Sequence, residues 1–274
     1  MKLRLLSLIL LISTFTYGQQ TAADYFEKGV NKTKAGNYTG ALSDFSRAIA
    51  MNPQNAQSYY NRGLAKQALK DHRGAVLDFD KSIGLNSREP LAYLYRGISK
   101  SEQSDPRSAV QDFNRCIELN SDDSYAYLQR GFTLTKLEEY QMAISDFNRV
   151  IELNSDKNSS YQAYFSRGLC KSKLGDFKNS ISDFSKSIDI NPKRSKTFSE
   201  RGYSNVQVGE FTKAISDYDE ALELNPNDGE SFYNRGFAKA KSDDFSGAKA
   251  DFDAALRINP SDIKALYGRG FCYS

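Results

Sequence analysis

The chain has 274 residues, 39% of them hydrophobic, enough for a substantial buried core. Charge is dense but balanced, 37 basic against 34 acidic residues, which argues against a polyanion such as nucleic acid as partner. One histidine and three scattered cysteines make no metal-ligand cluster, and no cofactor is expected.

Residues 1–18 stand apart from the rest. Lys2 and Arg4 precede an apolar run from Leu5 to Ile12 that only Ser7 interrupts. Thr16-Tyr17-Gly18 follows at a plausible cleavage point. This is the pattern of a secretory signal peptide, and it predicts a product that begins at Gln19 and is exported to the periplasm or outside the cell. The run is too short to span a bilayer, and no later segment is apolar enough to do so.

From Ala22 onward the chain repeats. Gly29, Gly63, Gly97 and Gly131 are spaced by 34 residues; Gly168 follows after 37, then Gly202, Gly236 and Gly270 at 34 again. A period of this size signals a repeat array spanning residues 19–274. Seven full units start at Ala22, Ala56, Pro90, Ser124, Tyr161, Ser195 and Gly229, and a partial eighth starts at Ile263. The three extra residues, Asn158-Ser159-Ser160, fall between units four and five.

Each unit predicts two helices. In unit two, His72, Ala75, Val76, Phe79, Ser82 and Ile83 trace one apolar or small-residue stripe at helical spacing. Gly36, Gly175 and Gly209 mark the turn between the helices. Asn52, Asn86, Asn120, Asn154, Asn191, Asn225 and Asn259 close every second helix, where asparagine tolerates the left-handed conformation. Pro53, Pro192, Pro226 and Pro260 follow and prevent continuation.

The order of aromatic, glycine, alanine, aromatic, alanine and proline resembles the tetratricopeptide repeat. Unit one supplies Tyr25, Gly29, Ala41, Phe45, Ala48 and Pro53; unit six supplies Phe198, Gly202, Ala214, Tyr218, Ala221 and Pro226. The aromatic that the family carries three residues after the glycine is mostly lysine here, as in Lys32, Lys66 and Lys100. The resemblance implies an all-α, right-handed superhelical solenoid of helix-turn-helix repeats that binds a protein or peptide and is not an enzyme.

An arginine before the glycine and an aspartate before the second aromatic recur sixteen residues apart. Folding a hairpin about its turn brings them level. The expected ladder is Arg62 with Asp78, Arg96 with Asp112, Arg130 with Asp146, Arg167 with Asp183, Arg201 with Asp217 and Arg235 with Asp251. In unit one the corresponding pair is Lys28 with Asp44. The pairs lie within a hairpin or reach across to the next, and their repetition reads as structural.

The cysteines occupy slots that small side chains fill in other units, so buried free thiols are expected. His72 stands where other units place Tyr38, Tyr140, Phe177 and Phe211, an aromatic packing slot.

The family lines a concave groove with the first helix of each unit. The fifth and ninth positions are expected on one stripe, turned away from the partner helix. Apart from Ser199 they are apolar, among them Phe26, Tyr60, Leu94, Leu128, Phe165 and Tyr233 at the fifth, Phe132, Leu169, Tyr203 and Phe237 at the ninth. Two readings stand. One is an apolar, aromatic groove for a peptide or partner helix; the other is side-by-side packing of first helices. A rival function is self-assembly of copies through the C-terminal end, whose helix is expected to pack through Leu266 and Gly270 and to leave Tyr267 and Phe271 uncovered.

Overall fold

The structure, a computed structural model, describes residues 20–272; the segment read as a signal peptide lies outside them. All fifteen elements among the described residues are α-helices. They divide at Ser87 into two compact units. The first holds α1 (Ala22–Lys34), α2 (Tyr38–Met51), α3 (Ala56–Ala68) and α4 (His72–Leu85). The second holds α5 (Pro90–Glu102), α6 (Pro106–Leu119), α7 (Ser124–Lys136), α8 (Tyr140–Leu153), α9 (Lys157–Lys173), α10 (Phe177–Ile190), α11 (Ser195–Gln207), α12 (Phe211–Leu224), α13 (Gly229–Lys241), α14 (Phe245–Ile258) and α15 (Ile263–Phe271). Within each unit the helices pair into hairpins, and the second helix of one hairpin packs on the first helix of the next. The architecture is an all-α solenoid of stacked hairpins.

The helix starts are written into the sequence as caps. Asn37, Asn55, Asp71, Asp105, Asp123, Asp156, Asp176, Asp228, Asp244 and Asp262 each accept a backbone N–H of the first turn through the side chain. Thr21 and Asp24 form a reciprocal capping box at α1. Asp156 explains one departure from the sequence reading. It caps α9 at Lys157, so Asn158-Ser159-Ser160 form the first turn of that helix rather than a linker.

The asparagines do not close the second helices in the way expected. Only Asn154 is left-handed, at φ 42°; the others, such as Asn52 at φ −136° and Asn191 at φ −140°, are extended. Their side chains do the closing instead. Asn52, Asn120, Asn191 and Asn259 each accept the backbone N–H two residues on, which folds the link to the next hairpin. Left-handed backbone sits in the turn inside each hairpin, at Gly36, Gly175 and Gly209, and also at Lys70, Ser104, Glu138 and Asp243. A side chain at that φ costs about 1–2 kcal/mol, while glycine gives back about 0.5–1 kcal/mol in chain entropy. Lys70→Gly is therefore expected to stabilise the first unit by about 0.5–1 kcal/mol. A denaturant midpoint that fails to rise would refute this.

Each hairpin is built around one ring. Phe45, Phe79, Phe113, Phe147, Phe184, Tyr218 and Phe252 of the second helices are buried. Each lies against the glycine of its own first helix: a Cβ on Gly29 would sit 2.6 Å from Phe45, and one on Gly131 2.7 Å from Phe147. The repeated glycine is thus a docking notch for the repeated ring.

Helix α15 docks differently from expectation. Ala265 is buried, and a Cβ on Gly268 would meet the Phe252 ring at 2.7 Å; nothing lies within 4 Å of Gly270, and Leu266 is exposed. Gly270 belongs to the face that meets a hairpin's own second helix. The face presented to the preceding hairpin carries Ala265, as it carries Ser231 and Thr197 in earlier first helices. Cys116 and Cys170 are free and buried; Cys272 is free and partly exposed.

Candidate functional site

The arginine–aspartate pairs close within hairpins. Arg62, Arg96, Arg130, Arg167 and Arg235 each donate Nε to one carboxylate oxygen at 2.8–3.0 Å and Nη2 to the other at 2.5–2.6 Å. Arg201 places both donors on Oδ1 of Asp217, at 3.0 and 2.6 Å, with Nε also 3.2 Å from Oδ2. The aspartates are buried, so the planar guanidinium supplies two matched donors to a carboxylate taken out of water. The aromatic three residues earlier stacks on the same guanidinium: Tyr59, Tyr93, Tyr127, Tyr164, Phe198 and Phe232 lie 5.4–5.7 Å from their arginines.

The third guanidinium nitrogen reaches back one hairpin. Nη1 of Arg62 donates to Ser46, Arg130 to Asn114, Arg167 to Asn148, Arg201 to Ser185, and Arg235 to Asp219. Arg269 of α15 donates to Asp253 in the same way. The ladder therefore has rungs within hairpins and stitches between them.

A second cation was missed by the sequence reading. Lys66, Lys100, Lys171 and Lys239 pair with Asp78, Asp112, Asp183 and Asp251 at 2.7–2.8 Å. These are the lysines that replace the family's aromatic three residues after the glycine, so the departure itself was the signal. Asn205 takes this place beside Asp217, donating at 2.8 Å. In α7 the place is taken by buried Leu134, and burial pushes the Asp146 carboxyl up against the pull of Arg130.

Unit one corrects the expected pairing. Asp44 is held by Lys32 at 2.5 Å, while Lys28 lies 5.5 Å over the Tyr25 ring. A lysine ammonium has no planar fork to bridge both oxygens from position 28, so the neighbour one turn on takes the carboxylate. Lys28→Arg is expected to supply the missing fork and stabilise the first unit by about 1 kcal/mol. Thermal denaturation of the full chain measures it, and an unchanged midpoint would count against the ladder as a stabilising device.

The apolar stripe of the first helices is split by the structure. Tyr60, Leu94 and Leu128 are buried. Phe26, Phe165 and Tyr233 are half-buried, each 5.8–5.9 Å from the ring of its own second helix. The fifth position and the glycine are three apart, so they share a face, and that face looks at the partner helix. The ninth position differs. Ile98, Phe132 and Leu169, of α5, α7 and α9, line a crevice of about 380 Å³ together with Gln129, Glu102, Lys136, Thr133 and Ser166. Phe132 also packs on Phe147, at 5.8 Å between ring centres. Tyr203 and Phe237, further along, are exposed at 41% and 37%. The most exposed large side chains of the stripe in α11 and α13 are therefore at the ninth position. Among the described residues, no group of three His, Cys, Asp or Glu side chains is placed to hold a metal, and no helix is long and apolar enough to cross a membrane.

Models of the tetratricopeptide repeat match this chain over residues 56–89, 124–157, 161–194 and 229–262, and a TPR repeat model matches residues 32–70 and 202–243. No curated protein sequence matches. Among solved structures, YrrB, described as a TPR protein with an unusual peptide-binding site, is 21% identical with a TM-score of 0.63, covering 70% of this chain and 97% of its own. The C-terminal part of a TPR repeat-containing protein from Cytophaga hutchinsonii is 17% identical with a TM-score of 0.73, covering 89% and 98%. A tetratricopeptide repeat protein from Parabacteroides merdae is 18% identical with a TM-score of 0.64, covering 93% and 100%.

Proposed function

Because this chain belongs to the tetratricopeptide repeat family, we propose that it is an exported scaffold that binds a peptide segment of another protein along its first helices and performs no catalysis. The observation that carries this reading is the crevice lined by Ile98, Phe132 and Leu169. Its apolar lining suits a bulky aliphatic or aromatic side chain, and Gln129, Glu102 and Lys136, with the buried hydroxyls of Thr133 and Ser166, offer polar partners. The peptide-binding site named for YrrB supports the same use of the fold.

Affinity capture on the immobilised chain tests it. Ile98→Asp and Leu169→Asp are expected to abolish capture of a discrete partner and leave the melting temperature within a few degrees. Capture that survives both would place binding elsewhere. Export is tested separately: the secreted product should begin at Gln19, and one that retains Met1 overturns that part of the proposal.

A second reading, association of copies through α15, is favoured by one observation. Ile263, Tyr267 and Phe271 are exposed at 80%, 81% and 58% on a single short helix. A dimer in light scattering that becomes monomeric on replacing Ile263 and Tyr267 with serine would establish it.

A further inference from the structure

In four hairpins a lysine of the first helix puts its ammonium 2.7–2.8 Å from one oxygen of the ladder aspartate, beside the arginine. In α7–α8 that position is Leu134, and a crevice of about 530 Å³ opens at the same level. Its lining comes from α6, α7 and α8, and it shares no residue with the crevice of Ile98, Phe132 and Leu169. Leu134 and Asp146 line it and are buried; Asn114, Glu118 and Met142 line it and are exposed. The crevice thus leads from the surface to the aspartate.

The surroundings decide what would enter. A carboxylate offers about four lone-pair directions, and Asp146 receives two donors, Nε and Nη2 of Arg130. Its counterparts beside a lysine receive a third. The charged groups lining the crevice are Arg130, Asp146 and Glu118. Arg130 has its remaining nitrogen, Nη1, on Asn114, and Glu118 already pairs with Arg115 at 2.8 Å. Asp146 is therefore the carboxylate that an added cation would serve. The other walls, Leu134, Ile117 and Met142, are apolar. The matching crevice beside α11–α12, about 660 Å³, gives the contrast. There Asn205 stands in the lysine's place and donates to Asp217, and Lys178 and Lys213 line the walls, so no further cation is called for.

We propose that the crevice between α6 and α8 is a socket for a lysine side chain presented by another protein, its ammonium donating to Asp146 beside Arg130 and its methylene stem lying along Leu134, Ile117 and Met142. Four sibling hairpins show an ammonium seated at this level with the arginine in place. Arg130 already spans both oxygens, so the place takes a point charge rather than a second planar fork. A lysine stem packs on apolar walls while its charged head reaches a polar partner.

The test uses the full chain, isotope-labelled, and two blocked amino acids, acetyl-lysine methylamide and acetyl-norleucine methylamide, which differ only in the ammonium group. Binding is followed by backbone amide shifts. The lysine probe is expected to shift resonances of α6 and α8 with about tenfold higher affinity than the norleucine probe, the scale of one charge-assisted hydrogen bond. Leu134→Lys refills the place from within, so the lysine probe should lose about tenfold in affinity. Met142→Lys, at an exposed position that leaves the core alone, brings a competing ammonium to the mouth and should weaken the lysine probe as well. Equal affinities of the native chain for the two probes would overturn the proposal, as would shifts confined to α5 and α9 or no shift in α6 and α8. A Leu134→Lys chain that melts cooperatively and still binds the lysine probe undiminished would overturn it too.

Discussion

Arg130→Ala is expected to destabilise the hairpin α7–α8 by about 3–5 kcal/mol, the cost of leaving one member of a buried pair without its partner. Asp146 is almost fully buried, receives two bonds from Arg130, and lacks the second cation that Asp78, Asp112, Asp183 and Asp251 have, because Leu134 fills that place. Its carboxyl, already pushed up by burial, would lose its remaining pull downward. Asp146→Ala added to Arg130→Ala should therefore recover part of the loss. The coupling in the double-mutant cycle should exceed the 0–1 kcal/mol or so of an exposed pair. Full additivity would mean that the pair contributes nothing. A local readout suits an array in which each hairpin touches only its neighbours, so amide exchange in α7 and α8 should accelerate more than in α13 and α14.

Phe147→Ala should cost a similar amount, about 3–5 kcal/mol, through loss of burial and the cavity left behind. A partner substitution makes this test specific. Gly131→Ala in the native background puts a Cβ 2.7 Å from the Phe147 ring, and overpacking of this kind costs about 1–3 kcal/mol. With the ring removed, the same alanine meets open space and gains helix propensity of about 1 kcal/mol. Gly131→Ala should therefore change sign between the two backgrounds. Chemical denaturation of the four proteins decides it, and a constant effect would show that notch and ring do not touch in solution.

The repeat and the ladder were legible in the sequence because both recur at fixed offsets, and recurrence separates packing from accident. The level of Arg130 with Asp146 followed from counting about the turn alone. Two other features were harder to read. The lysines at 66, 100, 171 and 239 looked like neutral substitutions of an aromatic, yet each reaches the carboxylate that the arginine already holds. A flexible side chain one turn along the helix can find a buried charge that sequence offset does not announce. The groove stripe was over-read for a simpler reason. Tyr60, Leu94 and Leu128 lie three residues before a glycine that faces the partner helix, so they belong to the core, while the ninth positions Ile98, Phe132 and Leu169 line the crevice.

The buried thiols make the chain its own stopwatch. Cys116 in α6 is fully enclosed, and burial with the nearby Asp123 charge pushes its thiol up to about 12, far from the thiolate that alkylating reagents attack. Cys170 in α9 is equally enclosed, with Thr135 at 3.3 Å from its sulfur. Neither can be modified until its own hairpin parts from a neighbour. Cys272 is partly exposed and serves as the unprotected reference within the same molecule. The rates at which the three sulfurs take up a reagent thus record, without any engineered label, how often separate stretches of the array come open.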